Sequence, residues 1–421
     1  MKLLLKQATI LDASSPFNGL MKDILVNDGI IEKIGDSIAD ADSKIIEANG
    51  LIVSNGWVDI FSQFNDPGFE YKETLETGAS SAASGGFTHV FVLPDTQPAV
   101  TNKTAVEYIV QRSKHLPVTI LPIGAITKNI EGKELSEMYD MYTSGAVAFS
   151  DGLQPVQTPG LLLKALQYVK AIDAVVIQVP VDKSISKSGL MNEGITSTRL
   201  GLPGIPAIAE ELMVTRDIEL AKYTGSKLHI TGISTAKSLQ VIKEAKTNGV
   251  SITCSVTPYH LSFCDEDLVD YDTNLKTDPP LRSREDMFAL RRGIEEGFID
   301  CIASHHLPQN WDNKTCEFEY AAPGMIGLET VYGVVNSIFP NISATRLADL
   351  LGNNARKIFS LSQLIIEENK AADLTLFTKD EEFIYTQDNI KSKSKNSPFI
   401  NKLLKGKVIG IINKDRVYLN D

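Results

Sequence analysis

Aspartates and histidines of this 421-residue chain could carry proton-transfer chemistry, and Asp95, Asp151, Asp278 and His305 are the candidates considered below. Carboxylates and imidazoles commonly act as general acids and bases, and histidine titrates nearest to neutral pH. His306 directly follows His305, but adjacent residues of a strand point to opposite sides and would chelate a metal ion poorly. The four cysteines show no CxxC spacing, so neither a zinc knuckle nor a disulfide framework is predicted.

The middle of the chain must position these side chains, and it alternates apolar strand-like runs with longer helical segments. This pattern predicts parallel strands that helices cover on the outside. About eight strands favour a (β/α)8 barrel, in which catalytic groups lie at the C-terminal ends of the strands. The predicted strands are 58–61, 89–93, 118–124, 146–149, 174–177, 227–231, 251–254 and 301–303, and the predicted helices include 160–170, 207–223 and 236–248.

Both ends of the chain have the pattern of β structure. Asn27-Asp28-Gly29 is a hairpin signal, and residues 372–377 and 407–419 form a second group of strand signals. We predict that the two ends pair in one small β-sandwich domain. The predicted fold class is therefore α/β, with sandwich parts at residues 1–55 and 365–421 and a TIM-like barrel at residues 56–364.

The charge of the chain excludes two classes of partner. Its formal net charge is −12, whereas nucleic acids and anionic membranes are bound by basic surfaces. No apolar run reaches the roughly 20 residues of a membrane-spanning helix, and the apolar run at the start is too short for a signal peptide. We expect a cytoplasmic protein that binds neither nucleic acid nor membrane.

Eight phrases occur along the chain in the order typical of one enzyme family. They are Asp66–Thr74, Gly85–Thr88, Gly189–Gly194, Leu200–Pro206, Val256–Leu261, Pro279–Arg282, Gly324–Thr330 and Ser394–Phe399. In these phrases the chain resembles, over essentially its whole length, the dihydroorotases of the amidohydrolase superfamily, of the long type often found with aspartate carbamoyltransferase. For active members, the resemblance implies that zinc supplies hydroxide and polarises the ring amide while an aspartate moves the proton.

The chain departs from this family at the positions that the resemblance assigns to zinc ligands. The family's His-x-His at the end of the first barrel strand corresponds to Phe61 and Gln63, and two later histidines correspond to Val179 and Gly232. None of these side chains is a good zinc ligand. Asp151 aligns near the bridging carboxylate, where a turn or cap residue is the alternative interpretation. We expect no metal or other cofactor.

The positions implied for proton transfer and substrate binding differ as well. His305 replaces the proton-transferring aspartate, Asn65 replaces an arginine that would pair with a substrate carboxylate, and Asp95 and Asp278 replace asparagines. Each like-charge contact with an anionic substrate at 4 Å would cost about 1 kcal/mol in water and about 4 kcal/mol at an effective dielectric near 20. We therefore expect anionic dihydroorotate to be rejected.

Two hypotheses explain this pattern. The favoured one is a catalytically inactive, dihydroorotase-like protein of pyrimidine biosynthesis, because functional positions are altered while the phrases around them are intact. By resemblance, it would serve as a structural or regulatory partner of aspartate carbamoyltransferase and form at least a homodimer. The alternative is a cyclic-amide hydrolase of the dihydroorotase or hydantoinase type, with a remodelled site built from His305, Asp95, Asp151 and Asp278.

Overall fold

The computed structural model describes residues 1–420, which contain eighteen strands and thirteen α-helices. The strands are β1 (Lys2–Leu11), β2 (Met21–Asn27), β3 (Ile30–Gly35), β4 (Lys44–Ile46), β5 (Ile52–Asn55), β6 (Trp57–Ser62), β7 (Phe87–Val92), β8 (Thr119–Gly124), β9 (Ala148–Phe149), β10 (Val176–Gln178), β11 (Met191–Asn192), β12 (Gly204–Ile205), β13 (Leu228–Ile230), β14 (Ile252–Val256), β15 (Cys301–Ile302), β16 (Asp373–Ile384), β17 (Leu403–Asn413) and β18 (Arg416–Leu419).

The helices lie mainly between the strands of the middle region. They are α1 (Leu75–Ser84), α2 (Lys103–Arg112), α3 (Met138–Thr143), α4 (Pro159–Lys170), α5 (Lys183–Ser186), α6 (Ile195–Leu200), α7 (Ile208–Thr224), α8 (Ala236–Thr247), α9 (Pro258–Ser262), α10 (Arg284–Glu295), α11 (Val331–Ile338), α12 (Ala344–Ala348) and α13 (Asn354–Ile358). Among the described residues, no helix combines the length and apolar character needed to cross a bilayer.

The middle region forms the predicted barrel. Its eight strands are ordered β6-β7-β8-β9-β10-β13-β14-β15, and all neighbours are parallel. β6 is buried at every residue, as expected for a strand with packed layers on both faces. Helix α8 shows how the outer layer forms, because Thr235 caps its first turn and Leu239, Ile242 and Ala245 form its buried face. The (β/α)8 fold class is confirmed.

The barrel is completed by a short seam between β6 and the segment after β15. The carboxylate of Asp59 accepts hydrogen bonds from Ser304 N at 2.7 Å and from Ser62 Oγ at 2.6 Å. Gln63 N donates to His306 O at 2.9 Å, beside a parallel bridge between Ser62 and His306. These contacts hold the C-terminal ends of the first and last barrel strands side by side.

The two chain ends form one mainly β domain, as predicted. Its strands follow the order β18-β17-β16-β5-β1-β2-β3, with β4 also paired to β1. The predicted first hairpin is present, since Asn27 pairs with Ile30 across a two-residue turn. β16 joins the ends because it pairs with β5 and with β17. The domain limits at residues 55 and 364 stay predictions.

A buried ion pair connects the barrel to the chain-end sheet. Arg356 of α13 donates to Gly56 O at 3.0 Å and to Asp373 Oδ2 of β16 at 3.2 Å. The side chains of Arg356 and Asp373 are only 3% and 5% exposed. A buried pair of this kind is costly to break, because removal of one partner leaves the other charge without compensation.

We predict that Arg356→Met lowers the free energy of unfolding by about 3–5 kcal/mol, since Asp373 would remain buried and unpaired. The matched control is Arg284→Met, which removes a shorter pair of 2.7 Å with Glu266 whose side chains are 55% and 50% exposed. That control should leave the free energy of unfolding almost unchanged, because exposed ion pairs contribute little to stability. Urea unfolding followed by circular dichroism measures both changes, and equal losses would contradict the connecting role of Arg356.

Candidate active site at the barrel mouth

The predicted site positions gather at the C-terminal ends of the barrel strands, a region that we call the barrel mouth. Phe61 lies in β6, Gln63 and Asn65 follow β6, Asp95 follows β7, Asp151 follows β9, Val179 follows β10, Gly232 follows β13, Asp278 lies beyond α9 after β14, and His305 follows β15. Barrels of this fold carry their catalytic groups at this end.

His305 occupies the centre of the buried layer of the barrel mouth. Its ring stacks on Phe61 with centroids 4.3 Å apart, and its Nε2 lies 2.8 Å from Thr231 Oγ1. Nδ1 is buried and has no hydrogen-bond partner. Burial holds the pKa of His305 well below its ordinary value, so the ring is neutral near pH 7.

Gly232 is part of the same packed unit. A Cβ atom at this position would lie 2.7 Å from His305 Cε1, and the backbone has a left-handed φ of +70°. Glycine is therefore required for two reasons, the conformation of the turn and the space that the imidazole fills.

His306 points away from His305, as expected for neighbouring residues. Its Nε2 lies 3.4 Å from Glu73 Oε2, and its Nδ1 accepts a hydrogen bond from Gly327 N at 3.2 Å. The two imidazole rings therefore contact different residues, and His306 does not add a second imidazole to the barrel mouth.

Gln63 and Asp95 form a more accessible part of the site. Both are partly exposed, and Gln63 Nε2 donates to the Asp95 carboxylate. Burial raises the pKa of Asp95, while the hydrogen bond from Gln63 and the positive charge of Lys72 act in the opposite direction. Asp95 is thus a carboxyl group whose pKa is shifted towards the range useful for proton transfer.

Asp278 also has a cationic neighbour. It lines a cavity together with Lys183 and Lys187. Burial raises the pKa of Asp278, and the charges of Lys183 and Arg282 oppose this rise. The sequence reasoning counted the acidic residues at positions 95 and 278 but did not detect the lysines near them, so the expected repulsion of an anion was overestimated.

The carboxylate of Asp151 binds the loop that follows β8. Its Oδ1 accepts from the backbone N–H groups of Ile126 and Thr127 at 2.8 and 2.9 Å, and its Oδ2 accepts from Thr127 Oγ1 at 2.6 Å. Burial raises the pKa of Asp151 to about 6. These three hydrogen bonds make Asp151 an anchor for the loop after β8.

Val179 and Asn65 complete the set of predicted positions. Val179 packs in an apolar cluster with Phe61, Leu93 and Leu307. Asn65 is buried with a left-handed φ of +58°, and its Nδ2 has no partner. The barrel mouth therefore contains two buried nitrogen atoms without hydrogen-bond partners, Asn65 Nδ2 and His305 Nδ1.

The residues at the barrel mouth do not fit a zinc ion held in the manner of the family. A phenyl ring, an amide, an isopropyl group and a glycine stand at the four positions that the resemblance assigns to zinc-binding histidines. Within residues 1–420, the only cluster of three potential ligands with suitably close donor atoms is Cys264, Asp265 and Glu266, three consecutive residues of a turn. Structural zinc sites use four ligands, so this cluster is incomplete by itself.

Several polar residues of the site were missed by the sequence reasoning. Thr231 and Ser255 connect His305 to His229. Their signal was the alternation of polar residues along two predicted strands, which places side chains two apart on the same face. The lysines at positions 72 and 183 gave no signal, because each lies in a loop or short helix.

Comparisons with known proteins agree with this architecture. A family described as dihydro-orotase-like matches residues 50–238. The dihydroorotase of Acetivibrio thermocellus is 42% identical over 96% of both chains, and that of Syntrophus aciditrophicus is 38% identical over 99% of both. Among solved structures, the L-hydantoinase of Arthrobacter aurescens superposes with a TM-score of 0.85 at 22% identity, covering 99% of this chain and 96% of its own.

These full-length matches correct one prediction. The chain was expected to be a catalytically inactive partner protein, because the zinc positions of the family are substituted. Relatives about 40% identical over nearly the whole chain are named as the enzyme, so the prediction of an inactive protein is wrong. The substitutions describe how the site is built and do not by themselves exclude a reaction.

We predict that Gly232→Ala destabilises the protein more than Gly201→Ala does. Both glycines have left-handed backbones, with φ of +70° and +68°, and so share a cost of about 1 kcal/mol. A Cβ at Gly201 meets nothing within 4 Å, whereas one at Gly232 must displace the His305 ring. Thermal unfolding should show an additional loss of about 1–3 kcal/mol for Gly232→Ala, and equal melting temperatures would contradict the packing described above.

Proposed function

The chain belongs to the dihydroorotase family, and we propose that it hydrolyses the ring amide of cyclic amides of the dihydroorotate or hydantoin class with a remodelled site. The observation that carries this proposal is the match over nearly the full length to relatives named dihydroorotase. The partly exposed carboxyl of Asp95, with its raised pKa, supplies a group suited to the chemistry.

The proposed reaction adds water across the ring C–N bond. Asp95 accepts a proton from water as the oxygen attacks the amide carbon, and the C–N bond then breaks. The ring nitrogen takes a proton, and the new carboxyl group keeps the oxygen of water. Gln63 orients the Asp95 carboxylate, because its Nε2 donates to that group.

Lysines near the acidic residues provide the charge that an anionic substrate requires. Lys183 lies close to Asp278 in the cavity that both line, and Lys72 lies near Asp95. We propose that Lys183 pairs with the substrate carboxylate in place of the arginine that Asn65 replaces. A cyclic amide without a carboxylate would not need this contact.

We also propose that zinc is not held at the family's positions. Phe61, Val179 and Gly232 have no side-chain donor atoms, and Gln63 already donates to Asp95. In active family members the metal supplies hydroxide and polarises the carbonyl. In this chain, proton transfer is assigned to Asp95, and the buried N–H groups of the barrel mouth are the candidates for contact with the carbonyl oxygen.

The pH dependence of turnover tests the role of Asp95. Activity with dihydroorotate or hydantoin should fall as the pH is lowered through the pKa of Asp95, because the base must be ionised. Gln63→Leu removes a donor that stabilises the carboxylate, so the acid limb of kcat against pH should move to higher pH. Asp95→Asn should lower kcat about 10²- to 10⁴-fold.

The control is Asp36→Asn, at an exposed carboxyl after β3, which should leave kcat and its pH profile unchanged. Elemental analysis of protein purified without chelator accompanies the assay. One or two zinc ions per chain would refute the proposal on metal binding, and full activity of Asp95→Asn would refute the proposed base. Absence of turnover with all cyclic amides, with or without added zinc or manganese, would refute the proposed function.

We further propose that the protein forms at least a homodimer and associates with aspartate carbamoyltransferase, as the family resemblance implies. When both proteins are mixed at micromolar concentration, a single peak containing both chains should elute from a size-exclusion column. Light scattering across the peak gives the mass and hence the copy number. Separate elution of the two proteins at this concentration would contradict the association, and a monomeric mass would contradict the dimer.

A further inference from the structure

A continuous chain of hydrogen bonds runs through the barrel interior and ends at His305. His229 Nδ1 lies 2.8 Å from Thr253 Oγ1, and His229 Nε2 lies 3.0 Å from Ser255 Oγ. Ser255 Oγ donates to Thr231 Oγ1 at 2.8 Å, and Thr231 Oγ1 lies 2.8 Å from His305 Nε2. Each member can both donate and accept, so the direction of the series is set by the one bond whose donor is defined, Ser255 Oγ to Thr231 Oγ1.

This chain of hydrogen bonds connects opposite ends of the barrel. Thr253 is near the start of β14 and lines a cavity with Lys227 and Lys357, whereas His305 follows the C-terminal end of β15. The members between them alternate along β13 and β14, and they are completely buried. A polar chain in this position is unusual for a barrel core, which apolar side chains normally fill.

The direction of the bonds determines the tautomer of each ring. Burial lowers the pKa of His229 to about 3 and that of His305 well below its ordinary value, so each neutral ring carries one N–H. Because Ser255 donates to Thr231, the proton of the Thr231 hydroxyl is free, and its donation to His305 Nε2 is the arrangement that leaves the fewest buried polar groups without a partner. The remaining proton of His305 therefore lies on Nδ1, the atom without a partner.

The direction of the bond from Ser255 to Thr231 also determines which nitrogen of His229 is protonated. Ser255 uses its proton on Thr231, so its oxygen accepts from His229 Nε2–H. His229 Nδ1 then accepts from the hydroxyl of Thr253. All donors in the chain point towards the barrel mouth, and the last donor is His305 Nδ1–H.

We propose that Thr253, His229, Ser255 and Thr231 are positioning residues that hold His305 as its Nδ1–H tautomer, a donor for a carbonyl oxygen at the barrel mouth. The identity of the acceptor as a cyclic amide rests on the proposed function; the tautomer does not. An unpaired buried donor costs about 1–3 kcal/mol, and an acceptor that reaches Nδ1 would recover part of that cost.

Nitrogen-15 NMR of the histidine rings tests the tautomer directly. His305 should be protonated at Nδ1 and His229 at Nε2. Thr231→Val removes the hydroxyl with little change of shape, so the preference of His305 should be lost and both tautomers should be populated. Thr231→Ser keeps a hydroxyl and should restore the single Nδ1–H form.

Thr253→Val extends the test to the far end of the barrel, with Thr253→Ser as its control. Loss of the first donor should let the chain reverse, and the signals of both His229 and His305 should change in the valine variant alone. His260 is the internal reference, since its ring bonds to Thr257 and Pro280 outside the chain. An Nε2–H form of His305 in the unaltered protein, or one tautomer in all four variants, would overturn the proposal.

Titration with hydantoin separates the tautomer from the proposed reaction. A shift of the His305 Nδ1 signal that saturates with hydantoin supports the donor role. An unchanged signal in a protein that turns hydantoin over would refute the donor role while leaving the proposed function standing. The expected tautomers in a protein without any turnover would support the positioning chain and count against the proposed function.

Discussion

The barrel mouth depends on the seam at which Asp59 binds Ser304 N and Ser62 Oγ. A parallel barrel must bring its first and last strands together, although hundreds of residues separate them along the chain. The buried Asp59 carboxylate makes this connection where the backbone ladder is short. Phe61, two residues after Asp59 in β6, and His305, directly after Ser304, face each other and stack. The contacts that close the barrel therefore also determine the shape of the site.

The stacked rings make the substitutions at the barrel mouth mutually dependent. The imidazole of His305 needs the flat ring of Phe61 on one side and the missing Cβ of Gly232 on the other. It also needs Thr231 for its Nε2. A closely packed interior rarely accepts such changes singly, because each alone would leave a cavity, a clash or an unpaired polar atom. Phe61 and Gly232 were interpreted separately as lost ligand positions, and with His305 and Thr231 they form one packed arrangement.

Much of the fold followed from local patterns in the sequence. The eight barrel strands were predicted because buried parallel strands are short apolar runs, and their positions need no knowledge of distant residues. The hairpin before Ile30 was predicted from its turn residues alone. The site was harder, because the position of Lys183 near Asp278 and the hydrogen bond of His229 with Ser255 depend on the packing of separate elements. Asp151 shows the same limit, since its hydrogen bonds to Thr127 are visible only after folding.

The expectation of an inactive protein failed because it considered only the residues that one known mechanism requires and that are substituted here. It did not consider other side chains that could perform the same chemistry. Catalysis requires groups that stabilise the transition state more than the ground state, and several side-chain sets can do this. A carboxyl group with a raised pKa can move a proton, and an N–H donor in a buried site can stabilise charge on a carbonyl oxygen. Asp95 has the first property, and the Nδ1–H tautomer that we propose for His305 would supply the second. The absence of histidines at the positions that the resemblance assigns to zinc ligands is therefore no evidence of inactivity, because the proposed route uses other side chains.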